Sequence, residues 1–230
     1  VKLCGLIGGM SWESSIIYER LMHEAVRDRL GGFHNARLLV HTVDFADVEP
    51  LQAAGEWDRA GALLADVAQS LETGGAELLV LCTNTMHQVA AAIESAVEIP
   101  LLHIADATAE RVKAAGLRRV GLLATRYTME RDFYRGRLEE RHGLEVLVPD
   151  EPDRTAVHEI IYSELVLGRV EDASRERYRQ VIAGLQERGA EAILLGCTEI
   201  MLLIGEGDAR VPLFDTTRIH AEVAVAAALT

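Results

Sequence analysis

Gly75-Ala76-Glu77-Leu78-Leu79-Val80-Leu81-Cys82-Thr83-Asn84-Thr85 and Gly189-Ala190-Glu191-Ala192-Ile193-Leu194-Leu195-Gly196-Cys197-Thr198-Glu199 share one pattern. Each opens on Gly-Ala-Glu, runs through four apolar residues and ends in small polar residues suited to starting a helix. A short, uninterrupted apolar run of this kind reads as a strand buried on both faces, the signature of a parallel sheet covered by helices. Two flanking blocks repeat in the same order. Gly5-Leu6-Ile7 and Tyr18 match Gly121-Leu122-Leu123 and Tyr134, and Ile99-Pro100-Leu101-Leu102 matches Val211-Pro212-Leu213-Phe214. The three offsets, 116, 114 and 112 residues, drift only slightly, so the chain is an internal duplication.

The predicted strands are Lys2 to Ile7, Arg37 to Val43, Leu78 to Leu81 and Leu101 to Ile104, then Val120 to Leu123, Leu144 to Leu147, Ala192 to Leu195 and Val211 to Phe214. Helical spacing of apolar residues separates them, as in Trp12, Ile16, Ile17, Leu21, Ala25 and Val26 after Ser11, read as an N-cap. The expected fold is therefore α/β, two pseudo-symmetric doubly wound domains with mainly parallel sheets and the active site in the cleft between them. The last helix, Ile219 to Leu229, is expected to return to the first half. This gives domains of residues 1–98 plus 208–230 and of residues 99–207.

Composition narrows the function. At 230 residues with 49% hydrophobic, the chain can bury a full core. A formal charge of -13 argues against nucleic acid, which requires clustered Lys and Arg. The three cysteines, Cys4, Cys82 and Cys197, suggest free thiols in a reducing compartment, and no apolar run reaches the ~20 residues of a membrane span. A cytoplasmic protein without membrane contact is expected. Gly5-x-x-Gly8-Gly9 departs from the dinucleotide fingerprint and no Walker-type lysine follows. The eight histidines form no zinc motif, so no metal is assigned.

The duplication also sorts the cysteines. Eight residues after Gly189 stands Cys197, and eight after Gly75 stands Thr83, so the counterpart of Cys197 is Thr83 and not Cys82. A one-residue shift along a strand reverses the direction of the side chain. Cys82 is therefore expected behind the strand end, and Cys4 inside its strand as a small core residue. His87 is read as structural. Arg131, Arg135, Arg137, Glu139, Glu140 and Arg141 are read as a solvated helix face.

Gly8-Gly9-Met10-Ser11-Trp12, Thr83-Asn84-Thr85-Met86-His87 and Gly196-Cys197-Thr198-Glu199 together resemble the signatures of the aspartate/glutamate racemase superfamily, nearest its broad-specificity amino-acid racemase branch. The resemblance spans essentially the whole chain. It implies a cofactor-independent racemase acting on a small-molecule amino acid and assembled as a homodimer. In the wider family the first motif usually reads Cys-Asn-Thr, whereas here Thr83 holds the cysteine position. Other reactions of the superfamily, among them hydantoin racemisation, maleate isomerisation and decarboxylation, are the alternatives, followed by a non-catalytic amino-acid binder.

Inverting an α-carbon requires taking a proton from one face and returning one to the other, so Cys197 and Thr83 are the expected catalytic pair. A helix N-terminus can lower a thiol pKa, and Cys197 is expected to benefit. A threonine hydroxyl can donate or relay but is a poor base, which predicts unequal turnover of the two enantiomers. Thr85-x-x-Gln88 reads as a capping box. Met10, Ser11, Asn84, Thr85, Thr125 and Thr198 are substrate-binding candidates at strand ends, and Glu199 assists Cys197 or holds the ammonium group. The loop Asp44 to Asp58 contains no Lys or Arg and offers Gln52, which favours neutral or mixed substrates unless Arg126 supplies the cation. Neither lysine, Lys2 or Lys113, lies near a motif, so no pyridoxal phosphate is expected.

Overall fold

The computed structural model describes residues 1–230, which divide into two compact units, Val1–Ile104 with Thr217–Thr230, and Ala105–Thr216. The junctions fall after Ile104 and Thr216 rather than after residues 98 and 207, because strand pairing decides them. Leu101–Leu102 pairs with the first sheet and Leu213–Asp215 with the second.

In the first unit the order is β1 (Leu3–Gly8), α1 (Trp12–Leu30), β2 (Arg37–Thr42), α2 (Phe45–Ala54), α3 (Trp57–Thr73), β3 (Leu78–Leu81), α4 (Ala90–Ala96) and β4 (Leu101–Leu102). The sheet order is β2-β1-β3-β4, all parallel. Both faces are covered, as the apolar strand runs require. Tyr18, Met22 and Val26 of α1 pack with Leu6, Val80 and Cys82 on one face, and Leu64, Ala68 and Leu71 of α3 pack with Ile7, Leu79 and Leu81 on the other. The C-terminal helix, Thr216–Ala228, adds Ala221, Ala224 and Val225 to the first of these layers.

The second unit holds α5 (Ile104–Ala114), β5 (Arg119–Leu123), α6 (Arg126–Glu130), β6 (Glu145–Leu147), α7 (Asp153–Ser163), α8 (Asp172–Glu187), β7 (Ala192–Leu195), α9 (Ile200–Leu203) and β8 (Leu213–Asp215), so the C-terminal helix is α10. The parallel sheet order β6-β5-β7-β8 repeats that of the first unit. In both sheets the chain changes direction between the first and third strands, and open α/β sheets bind ligands outside the strand C-termini at such a switch point.

Three expectations are corrected. Asp44 to Asp58 is not a loop: the Asp44 carboxylate accepts from the Ala46 N–H, α2 follows despite Pro50, and Gly55 ends it in the left-handed conformation. Thr85-x-x-Gln88 forms no capping box, because Asn84 is already helical and Thr85–Val89 is a 3₁₀ turn with no side-chain cap. The Arg131–Arg141 segment is a solvated face only in part: Arg131, Glu140 and Arg141 are exposed and Arg135 pairs with Glu139, but Arg137 makes two 2.6 Å bonds to Asp106 on α5 and Arg141 reaches the same carboxylate.

Candidate active site at the strand ends

In the first unit, β1 ends on a loop held by Ser15. Its hydroxyl accepts from the Gly9 N–H at 2.8 Å and donates to the Ser11 carbonyl at 3.0 Å. Gly9 is required there, since it has φ +97° and a Cβ would meet the Val43 carbonyl oxygen at 2.1 Å. Met10 and Ser11 are consequently buried at the strand end. Ser11 occupies the N-cap position of α1 but its side chain makes no cap bond. The sequence reading missed Ser15, and the only signal for it was a serine one turn beyond Ser11.

At the end of β3, Cys82 N–H donates to the Ile7 carbonyl, and Thr83 N–H turns back to Leu81. Cys82 is fully buried among Tyr18, Met22 and Val80, where burial and the nearby Glu19 charge push its thiol far up. Thr83 is the first side chain beyond that layer. Gln52, Asn84 and Thr85 are buried too, and Gln52 Nε2 donates to Met86 Sδ at 2.9 Å, so α2 is tied to the Thr83–His87 turn. His87 is locked on both nitrogens. Nε2 accepts from the Ile104 N–H, so the proton sits on Nδ1 and is donated to the Thr83 carbonyl at 2.7 Å. Its ring lies 4.4 Å from that of His103, and burial together with His103 and His220 holds it well below the usual histidine range. The structural reading of His87 thus gains a specific content: it holds the backbone that carries Thr83.

The second unit repeats this register with different side chains. Gly121 pairs with Ile193 and Leu123 with Leu195, as Gly5 pairs with Leu79 and Ile7 with Leu81. The Gly196 N–H donates to the Leu123 carbonyl as that of Cys82 does to Ile7, so Gly196 and Cys82 are equivalent, and Cys197 and Thr83 are equivalent. A Cβ at Gly196 would meet Leu122 Cδ1 at 2.6 Å and the Ala124 Cβ at 3.2 Å, which leaves no room for a side chain.

Cys197 is 8% exposed, and its thiol donates to Glu199 Oε2 at 3.1 Å. Thr198 donates its hydroxyl to the same oxygen at 2.9 Å, orienting the buried carboxylate. The expected lowering of the thiol pKa is not found. Burial first, and then the Glu199 charge, push Cys197 well above the ordinary value, outweighing the backbone N–H groups of Glu199 and Thr198. α9 has only four residues and brings little dipole. Thr125, at the end of β5, caps α6 by accepting from the Thr128 N–H. Met10, Ser11, Thr83, Asn84 and Thr85 thus follow strand ends of one unit, with Gln52 reaching the second of these turns from α2, and Thr125, Cys197, Thr198 and Glu199 follow strand ends of the other.

Two parallel sheets of identical order, each bearing a small nucleophilic or hydroxylic side chain at the same switch-point position, define a duplicated α/β fold with matched polar positions in its two halves. A profile of the Asp/Glu/Hydantoin racemase family matches residues 7–224, and the chain belongs to that family. It is similar to a candidate Asp/Glu racemase from Yersinia pestis, with 54% identity over 100% of both chains and a TM-score of 0.93. An aspartate racemase homologue from Pyrococcus horikoshii OT3 is 33% identical over 100% of both chains, with a TM-score of 0.85. The aspartate racemase of Picrophilus torridus shares the fold, with a TM-score of 0.81 at 21% identity over 99% of this chain and 94% of the other. No helix is long and apolar enough to cross a membrane.

Proposed function

We propose that this protein is an amino-acid racemase that inverts the α-carbon without pyridoxal phosphate or metal, with Cys197 and Thr83 as the two proton-handling groups. The observation that carries this reading is their equivalence in strand register, with Cys82 displaced into the core. Cys197 is activated by passing its proton along the 3.1 Å hydrogen bond to the Glu199 carboxylate. The S–H bond breaks, an O–H bond forms on Glu199, and the thiolate then removes the α-proton of the substrate. The Thr83 hydroxyl returns a proton to the opposite face and is itself reprotonated by solvent, while Glu199 releases the proton it took from the thiol to solvent and closes the cycle. A substrate ammonium near Glu199 offsets the carboxylate charge that raises the free thiol.

An uncharged hydroxyl cannot remove an α-proton as a thiolate does, so the enantiomer that presents its α-hydrogen to Cys197 is turned over faster. The test is incubation in deuterium oxide with separate L- and D-amino acids, following both α-proton loss and chiral product. Exchange with inversion, faster from one enantiomer, is the expected result. Equal kcat from both enantiomers at saturation would overturn the Thr83 assignment (kcat/KM must be equal for two enantiomers of equal free energy), and exchange with a hydantoin but no free amino acid would move the protein to another reaction of its family.

A further inference from the structure

We infer that Arg175 of α8 is a positioning residue for the proposed reaction: by holding the far end of α9 it keeps the Cys197–Glu199 turn in place. The inference rests on the racemase reading for the use made of the thiol, and its test also reads the thiol without turnover.

The turn cannot hold itself. It runs straight from β7 into α9, with the Ile200 N–H donating to the Cys197 carbonyl at 3.1 Å and the Leu202 N–H to that of Glu199 at 3.0 Å. α9 has only four residues, and so short a helix has little stability of its own in water. At its start the segment is tied to the sheet by the Gly196 N–H, which donates to the Leu123 carbonyl. At its end, where the last carbonyls of a helix have no partner inside it, Arg175 Nε donates to that of Leu203 at 2.8 Å. The 3.1 Å contact between Cys197 and Glu199 lies between these two ties.

No packed wall takes the place of the arginine. Beside α9 lies an open cleft of about 430 Å³, lined in part by Arg175, Arg179, Met201, Leu202 and Asp208. α8 holds the next stretch of chain as well, since Arg179 Nε donates to Asp208 at 2.5 Å and Asp208 accepts from the Gly205 N–H at 2.8 Å. The same helix meets the sulfur end of the segment through the buried Tyr178, which donates to the Val157 carbonyl at 3.2 Å. Burial, then the charges of Cys197 and Glu164, push the Tyr178 hydroxyl up. α8 thus braces both ends of the turn.

Without the Arg175 bond the end of α9 frays and the turn opens to water. The Cys197 thiol is held up by burial and by Glu199, so relief of either lowers it. The sulfur should then react more readily with a small reagent and yet serve the reaction less well, because a displaced group is poorly aimed at the α-carbon.

The experiment is iodoacetamide labelling of Cys197 in the full chain across neutral and alkaline pH, read by peptide mass spectrometry, beside kcat and KM from chiral turnover. Wild type is compared with Arg175→Gln, Arg175→Lys and Arg177→Gln. Cys4 and Cys82 are buried with thiols held at about 11 and beyond, and Cys197→Ala supplies the background. Arg177 is the control, because it is half-buried on the same helix but pairs with Asp153 of α7 and not with α9. Arg175→Gln should label about threefold faster or more at pH 7.5, with its midpoint at lower pH, since the thiolate is the reacting form. Its kcat should fall about tenfold or more with KM little changed. Arg175→Lys, which keeps a cationic donor, should lie between, and it carries the test if circular dichroism shows Arg175→Gln unfolded. Arg177→Gln should match wild type in both readouts. Unchanged labelling in the Arg175 variants, or an equal change in Arg177→Gln, overturns the positioning role and leaves the racemase reading standing. A shifted thiol in a protein whose wild type racemises no amino acid defeats the racemase reading and leaves Arg175 as the brace of the turn.

Discussion

The ends of β3 and β7 occupy the same place in two sheets of the same order, yet they are furnished in opposite ways. In the first unit the pair is Cys82-Thr83, with sulfur turned into the core and a hydroxyl beyond it. In the second it is Gly196-Cys197, where no side chain fits behind the strand and the sulfur moves one residue forward to meet Glu199. The backbone is held differently as well. A neutral histidine anchors the Thr83 carbonyl, whereas the Thr198 hydroxyl orients the carboxylate that accepts the Cys197 proton. The lesson is that duplication preserves register more strictly than chemistry. Hydrogen bonds between strands define which residue emerges from the sheet, and the identity of that residue is free to diverge.

Substitution at the two emergent positions gives the sharpest contrast. Cys197→Ala should lower racemisation by about 10³-fold or more, inside the range of general acid–base contributions, and Thr83→Ala by only about 10- to 100-fold, at or below the low end of that range. Comparable losses at the two positions, measured by chiral product formation, would break the asymmetry. Next in size, Glu199→Gln removes the acceptor for the thiol proton and should reduce turnover by about 100-fold. It should also move the alkaline rise of the kcat profile to lower pH, because the carboxylate charge that raises the thiol is gone. An unmoved profile would remove Glu199 from the activation step.

The histidine-rich side of the first unit predicts an acid weakness. His220 Nε2 donates to the Leu102 carbonyl and Nδ1 accepts from the Tyr18 hydroxyl, so the ring is neutral, and burial pushes it down to about 4. A histidine depressed in the folded state lends its stabilisation above its unfolded value, near 6.5, and loses it as pH falls toward 4. Over that window the loss approaches about 3 kcal/mol. Urea midpoints measured at pH 7.5 and pH 4.5 should differ in the wild type, and the difference should shrink but not vanish in His220→Gln, because His87 and His158 are depressed as well.

The smallest effects concern the positions behind the strands. Gly196→Ala forces a Cβ against Leu122 and Ala124 and should cost about 1–3 kcal/mol, the range for overpacking. Cys82→Ala empties a small volume in the core and should cost about 1 kcal/mol while leaving racemisation intact. Loss of activity in Cys82→Ala, with the fold verified by circular dichroism, would mean that the sulfur reaches the reaction after all.

Much of this was legible in the residues. The Gly-Ala-Glu markers at 75 and 189 set the register that makes Thr83 the counterpart of Cys197, because strand pairing follows the apolar runs they introduce. Helix ends were less legible. Asp44 and Gly55 are good caps, but Pro50 and a weakly patterned interior hid α2 between them. Thr85 and Gln88 have capping-box identities, yet the helical backbone at Asn84 starts the turn one residue earlier and denies them the geometry.

Sequence alone therefore determined the duplicated α/β architecture, the family resemblance and the one-residue offset between the sulfurs, because these depend on local patterns and on spacing along the chain. Tertiary structure decided that Cys197 carries a raised rather than a lowered pKa, that His87 holds Thr83 from behind, and that Arg175 bonds to the end of α9. Each of these depends on burial or on a partner distant in sequence, and electrostatic effects of that kind follow distances in space, which spacing along a chain does not encode.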